Sequence, residues 1–162
     1  MTLFLANPHI TLPSPRRRPP PPVTAGALVT LGTPHAPPPD GILRKLDQTR
    51  GLLSNVEANY PGAYHETIRY MTVGGRGVRG ALSFSRGFDP LLAYASYLPL
   101  SGDGEAEGDG ICPIDTAMLV GAEQRTLDCF HIGYVPFFGA RLIGTPWYGS
   151  RGVLEQWVDF LE

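Results

Sequence analysis

The chain has 162 residues, of which 43% are hydrophobic and 17% charged, and it carries a formal charge of −2. That balance fits one soluble domain and excludes broad nucleic-acid binding, which needs a strongly basic face. No apolar run reaches the ~18 residues of a membrane-spanning helix, and the two cysteines, Cys112 and Cys129, are too few for a disulfide framework or a cysteine-only zinc site.

Residues 1–24 read as a disordered Pro/Arg-rich leader and residues 25–162 as the folded part. Within the leader, Arg16-x-x-Pro19-x-x-Pro22 matches the loose pattern of a polyproline ligand. The first strand is predicted over Ala25–Leu31, a nearly continuous apolar run of the kind found in buried parallel strands. It ends in the turn Gly32-Thr33-Pro34-His35. The carboxyl edge of an open parallel sheet is where ligands bind, so Thr33 and His35 are candidate site-lining residues, the alternative for His35 being an ordinary polar loop residue. Residues 42–59 predict a loop or short helix followed by a helix over Thr49–Ala58, with Glu57 facing solvent. Thr67–Val73 predicts a second strand. The glycine-rich Gly75-x-Gly77-x-x-Gly80 formally matches a dinucleotide fingerprint, but no helix follows it, so it reads as a flexible loop.

Phe88–Tyr97 predicts a helix capped at Asp89, with Pro90 in its first position and Phe88, Leu91, Leu92, Ala95 and Leu98 as its packing face or as a small lid. Ser101–Gly110 imitates the front of a calcium loop but lacks the closing glutamate, and is expected to be a mobile acidic surface loop. Pro113–Val120 predicts a short helix. A third strand is expected to hold Leu127, Cys129 and Phe130 after a turn at Glu123–Gln124. The chain closes with a predicted amphipathic helix: Ser150 is its N-cap, and Val153, Leu154, Trp157, Val158 and Leu161 form its apolar face.

Asp109, between Gly108 and Gly110 and ahead of Pro113, sits on a tight turn with little bulk around its carboxylate. His131 follows the third strand. A carboxylate loop and then a strand-end histidine is the acid-then-base portion of a Ser…Asp…His relay. No Gly-x-Ser-x-Gly occurs in the 162 residues, and Ser150, in Tyr148-Gly-Ser-Arg-Gly152, follows the histidine instead of leading the acid.

Leu28-Val-Thr-Leu-Gly-Thr-Pro-His35, Thr49–Leu53, Ile68–Val73, Gly108–Pro113, His131 and Trp147–Ser150 with the segment to Trp157 together resemble the C-terminal part of a plant and algal α/β-hydrolase group. That group is lipase-like and distantly similar to the inositol deacylases that act on GPI anchors. The resemblance covers roughly residues 26–161. It implies an α/β fold, truncated to about three mostly parallel strands with flanking helices. It also implies that Asp109 and His131 are the acid and base of an ester hydrolase, and that its localisation is plastid-associated. The implied substrate is an apolar carboxylic or lipid ester, and the isolated chain, lacking the nucleophile elbow, is expected to be inactive. The alternative is a non-enzymatic, partner-dependent protein on the same scaffold, self-associating through an exposed sheet edge. Neither reading calls for a metal or an organic cofactor.

Overall fold

The computed structural model describes residues 26–41, 47, 49–83, 85, 87–133 and 145–162. The leader over residues 1–24, most of the expected loop or short helix before Thr49, and residues 134–144 lie outside the described residues. The architecture is a small mixed α/β fold. Three parallel strands, β1 (Ala27–Leu31), β2 (Arg69–Gly75) and β5 (Glu123–Leu127), form one sheet in the order β1-β2-β5. A separate antiparallel ribbon pairs β3 (Val78–Arg79) with β4 (Glu107–Gly108). Three α-helices flank them: α1 (Leu52–Asn59), α2 (Phe88–Ser101) and α3 (Ile114–Ala117).

The strand order explains the burial. β2 lies in the middle, in register with β1 from Ala27↔Arg69 to Leu31↔Val73 and with β5 from Met71↔Glu123 to Gly75↔Leu127. Its residues from Met71 to Gly75 are all buried. Side chains alternate along a strand, so its two faces meet different layers. On one face Met71 and Val73 pack with Leu127, Cys129, Tyr148 and Val153, extended by Val29, Leu31, Trp157 and Phe160. On the other, Gly74 lies against Met118 and Ile114 of the α3 segment. The nearest neighbour there is the Met118 methyl, the end of a flexible side chain, so the helix and strand backbones pack closely at this glycine.

Several predicted elements change shape in three dimensions. β5 begins at Glu123, where a turn was expected, and Cys129 and Phe130 lie beyond its end. Phe130 instead bridges to Trp147. The glycine-rich stretch after Val73 is no flexible loop. Gly74 and Gly75 finish β2, and Gly80 is buried, its N–H donating to Ala106 O at 3.0 Å. α2 starts at Phe88 after Gly87 and runs four residues beyond Tyr97, to Ser101, where Gly102 ends it at φ 81°. Its buried residues are Ala93 and Tyr97, one turn apart, while Phe88, Leu92 and Ala95 of the expected packing face are exposed. The reason is that α2 packs on β3 and α3, and its contact face is turned toward the Asp109 loop. α3 is a single turn, because Met118 already has the extended geometry φ −90°, ψ 129°.

The C-terminal amphipathic helix is also absent. The segment forms two 3₁₀ turns, Leu154–Gln156 and Val158–Leu161, broken at Trp157 with φ −135°. Trp157 Nε1 donates to Tyr148 O at 2.9 Å, and the Arg125 guanidinium donates to Gln156 O. These anchors hold the break, and the tighter turns bring Trp157 and Phe160 onto the sheet. Phe160 also receives the Arg69 guanidinium, 4.9 Å from its ring centre. Ser150 Oγ accepts the Trp147 N–H at 2.9 Å, so it closes a turn instead of capping a helix. Among the described residues no helix is long and apolar enough to cross a membrane.

Met71 is fully buried at the centre of this core. Met71→Ala is therefore expected to cost about 2–5 kcal/mol through lost burial and the cavity it leaves. Val120→Ala, at a site 80% exposed, should stay within about 0.5 kcal/mol of the parent. Urea unfolding of the two variants measures the contrast.

Candidate active site

Asp109 follows β4 directly and lies in a turn closed by its own N–H, which donates to Cys112 O at 3.2 Å. The carboxylate is 1% exposed, and each of its oxygens has two donors. Oδ1 accepts the backbone N–H of Ile111 at 2.9 Å and of Cys112 at 2.7 Å. Oδ2 accepts the Tyr148 hydroxyl at 2.8 Å and lies 2.8 Å from His131 Nδ1. A buried carboxylate is costly unless its lone pairs are filled, and here all four contacts are made. An acceptor-only carboxylate requires that Nδ1 carry the imidazole proton, which leaves Nε2 as the unprotonated ring nitrogen of neutral His131.

The backbone fixes the same pair a second time, because the His131 N–H donates to Asp109 O at 2.9 Å. α2 holds the loop from another side. Tyr97 Oη accepts the Gly110 N–H at 2.7 Å and donates to Val78 O at 3.2 Å. The sheet approaches through two glycines. At Gly32, the first residue beyond β1, φ is +53° and a side chain would run into Asp109 Oδ2 and His131 Nδ1. A Cβ on Gly75, at the end of β2, would sit 2.7 Å from Asp109 Cβ. The ends of β1 and β2 therefore meet the Asp109–His131 pair at their carboxyl edge.

Beside the pair lies a cavity of about 200 Å³ walled by Val78, Leu92, Ile111, Phe130, His131 and Ile132. α2 presents Asp89, Leu92 and Ser96 to it, three residues on one helical face. The Asp109 carboxylate, by its hydrogen bond and its charge, raises the His131 pKa above the ordinary value of 6.5 against the opposing effect of burial. Burial raises the Tyr148 hydroxyl, with the Asp109 charge adding to it. Burial likewise pushes the Cys112 and Cys129 thiols up to about 12. Both cysteines are free thiols, and as thiols they are poor nucleophiles at neutral pH.

The predicted site residues thus divide. Asp109 and His131 come together, as their place in the sequence suggested. Thr33 and His35 do not join them. Thr33 is exposed, with its hydroxyl 3.3 Å from Leu31 O. His35 turns away, its Nε2 2.9 Å from Thr30 Oγ1, and lines a groove beside α1. Burial lowers its pKa. The residue of that turn that reaches the pair is Gly32. Sequence reasoning assigned no role to Tyr148 or Tyr97, although Tyr148 lies in the segment Trp147–Ser150 that carried part of the resemblance. Among the described residues no group of His, Cys, Asp and Glu is placed to hold a metal ion, and the Asp103 carboxylate is engaged locally, accepting the Glu105 N–H at 2.8 Å.

Comparison of the chain with protein-family models, curated proteins and solved structures gives no match.

Tyr148→Phe removes one donor from a buried carboxylate oxygen. We expect a loss of about 1–3 kcal/mol in chemical unfolding, and a rise in the His131 pKa, because the remaining charge on Oδ2 is less shared. The His131–Asp109 contact also sets a pH dependence. A histidine whose pKa is raised in the folded state contributes stability that is fully present below the unfolded value. That contribution is lost as pH rises through the higher folded value. His35, whose pKa is lowered, acts with the opposite sign. The difference between wild-type and His131→Gln stability should therefore shrink from pH 5 toward pH 8, which unfolding curves at fixed ionic strength will show. A flat difference would remove the linkage.

Proposed function

We propose that Asp109 and His131 are the acid and base of a serine-hydrolase relay acting on carboxylic esters with an apolar acyl or lipid portion, and that the 162-residue chain by itself is inactive. The observation that carries this reading is the fully buried carboxylate held 2.8 Å from His131 Nδ1 beside an apolar cavity. In such a relay Nε2 takes the proton of the attacking hydroxyl and later returns it to the leaving alcohol, while Asp109 holds the imidazole in one tautomer and stabilises its charged form. The raised His131 pKa suits a base that must hold a proton through the tetrahedral stage. The order of acid and base along the chain, and the motif resemblance around them, support the same reading.

Ser150 is a poor nucleophile here, because its hydroxyl oxygen is engaged by the Trp147 N–H at 2.9 Å. On this reading the nucleophile is a serine of a Gly-x-Ser-x-Gly turn, a motif the 162 residues do not contain. A second reading, a partner-dependent protein without hydrolase activity, is favoured by the edge strand β1. Among the described residues it pairs on one side only, and it carries no charged residue, whereas the opposite edge, β5, carries Glu123 and Arg125 in an ion pair at 2.7 Å. Charged side chains are a common guard on exposed edges.

A fluorophosphonate probe separates the readings. The endogenous protein is captured with an antibody to residues 145–162, labelled, and mapped by mass spectrometry. The hydrolase reading expects a labelled serine in a Gly-x-Ser-x-Gly peptide lying outside the 162 residues, with labelling lost in His131→Gln and Asp109→Asn. No labelling of any captured polypeptide would leave the non-enzymatic reading, and labelling at Ser150 would overturn both.

A further inference from the structure

α1 is a helix without a buried residue. It stands beside the sheet across a groove of about 780 Å³, to which β1 and β2 contribute Leu28 and Tyr70, α1 contributes Val56 and Glu57, and the turn after it contributes Tyr60 and Tyr64. Leu28 and Tyr70 are register partners, so they stand side by side on one face of the sheet. Leu28, Val56, Tyr60 and Tyr64 are each 40–48% exposed, an unusual density of open apolar surface for one face. The Tyr60 and Tyr64 rings meet edge to face, 5.1 Å apart at 88°, and form a ridged aromatic wall. Glu57 is the one carboxylate lining the groove among the described residues.

A trough of tyrosines with an acidic residue at its side has the chemistry that receives a polyproline II segment carrying arginine. Proline rings pack between aromatic side chains, the extended segment loses little entropy on docking, and the arginine pairs with the acid and fixes direction. The chain contains such a segment, Arg16-Arg-Arg-Pro-Pro-Pro-Pro22, which lies outside the described residues. Pro22 precedes Leu28 by six residues, a length of chain that spans at most ~20 Å. That tether gives the segment a high effective concentration at the groove.

We propose that Arg16–Pro22 docks in the α1 groove of its own chain, with the prolines against Tyr60 and Tyr64 and the arginines toward Glu57. The groove would then be a polyproline-binding site held by an internal ligand. A partner bearing a similar basic proline-rich segment could displace that ligand.

Nitration of the full chain with tetranitromethane, mapped residue by residue, tests this. We expect Tyr60 and Tyr64 to react several-fold more slowly in the wild type than in the Pro19→Ala/Pro22→Ala variant or in Glu57→Lys. Glu57 is exposed, so its replacement leaves the fold intact. Combining Glu57→Lys with Arg16→Glu, Arg17→Glu and Arg18→Glu should restore the slow rate, which loss of structure would not do. Equal rates in all variants would overturn the proposal. So would protection that survives the proline changes but disappears when Leu3, Phe4 and Leu5 are replaced by serine, since the occupant would then be the apolar N-terminal run. A sedimenting dimer whose dissociation exposes the tyrosines would overturn docking within one chain.

Discussion

The Asp109 carboxylate is the constraint on which the surrounding structure depends. Moving an ionised carboxylate out of water costs several kcal/mol even after relaxation, and nothing in the apolar core around it offsets that cost. Hydrogen bonds must do so. The four donors come from three pieces of the chain: the turn through Ile111 and Cys112, His131 in the segment after β5, and Tyr148 from the C-terminal segment. Removing one leaves charge without a partner, which is a larger penalty than the bond itself is worth. The carboxylate therefore acts as a fixed point from which the acid loop, the end of β5 and the C-terminal segment take their positions.

The sheet complements this arrangement by what it omits. Gly32 and Gly75 bring strand ends against the pair where any side chain would collide with it. A side chain at either position would push the strand end from the carboxylate and admit water between them. Tyr97 approaches from α2 and Tyr148 from the C-terminal segment, each hydroxyl linking its element to the same loop. Polar groups thus specify the geometry at the sheet's carboxyl edge, while Met71, Val73 and their neighbours supply non-directional burial beneath it.

How far the sequence disclosed this can be judged residue by residue. β1 was legible from its nearly continuous apolar run and β2 from its concentration of strand-forming residues. β5 was less so. Glu123, Gln124 and Arg125 are polar because the strand is an edge, and that polarity disguised its first half as a turn. The α2 packing face was misjudged because hydrophobicity alone pointed to leucines, whereas Tyr97 is buried for its hydroxyl as much as for its ring. The C-terminal helix failed because periodicity says nothing about Trp157 reaching back to Tyr148 O. Asp109 and His131 were found through loop chemistry and order along the chain. Tyr148 was not, since a tyrosine's role as a donor to a distant carboxylate leaves no local pattern.

The same hydrogen bond has a kinetic side. The parallel pairing of β1 with β2 and of β2 with β5 obliges the chain to close long crossovers. Such closures carry an entropic cost before any contact rewards them, and they delay folding relative to local helix formation. His131 gains its higher proton affinity only when Asp109 is in place. Folding therefore makes His131 a better proton acceptor, while the burial of His35 works the other way, so the two histidines oppose each other in the proton balance of folding.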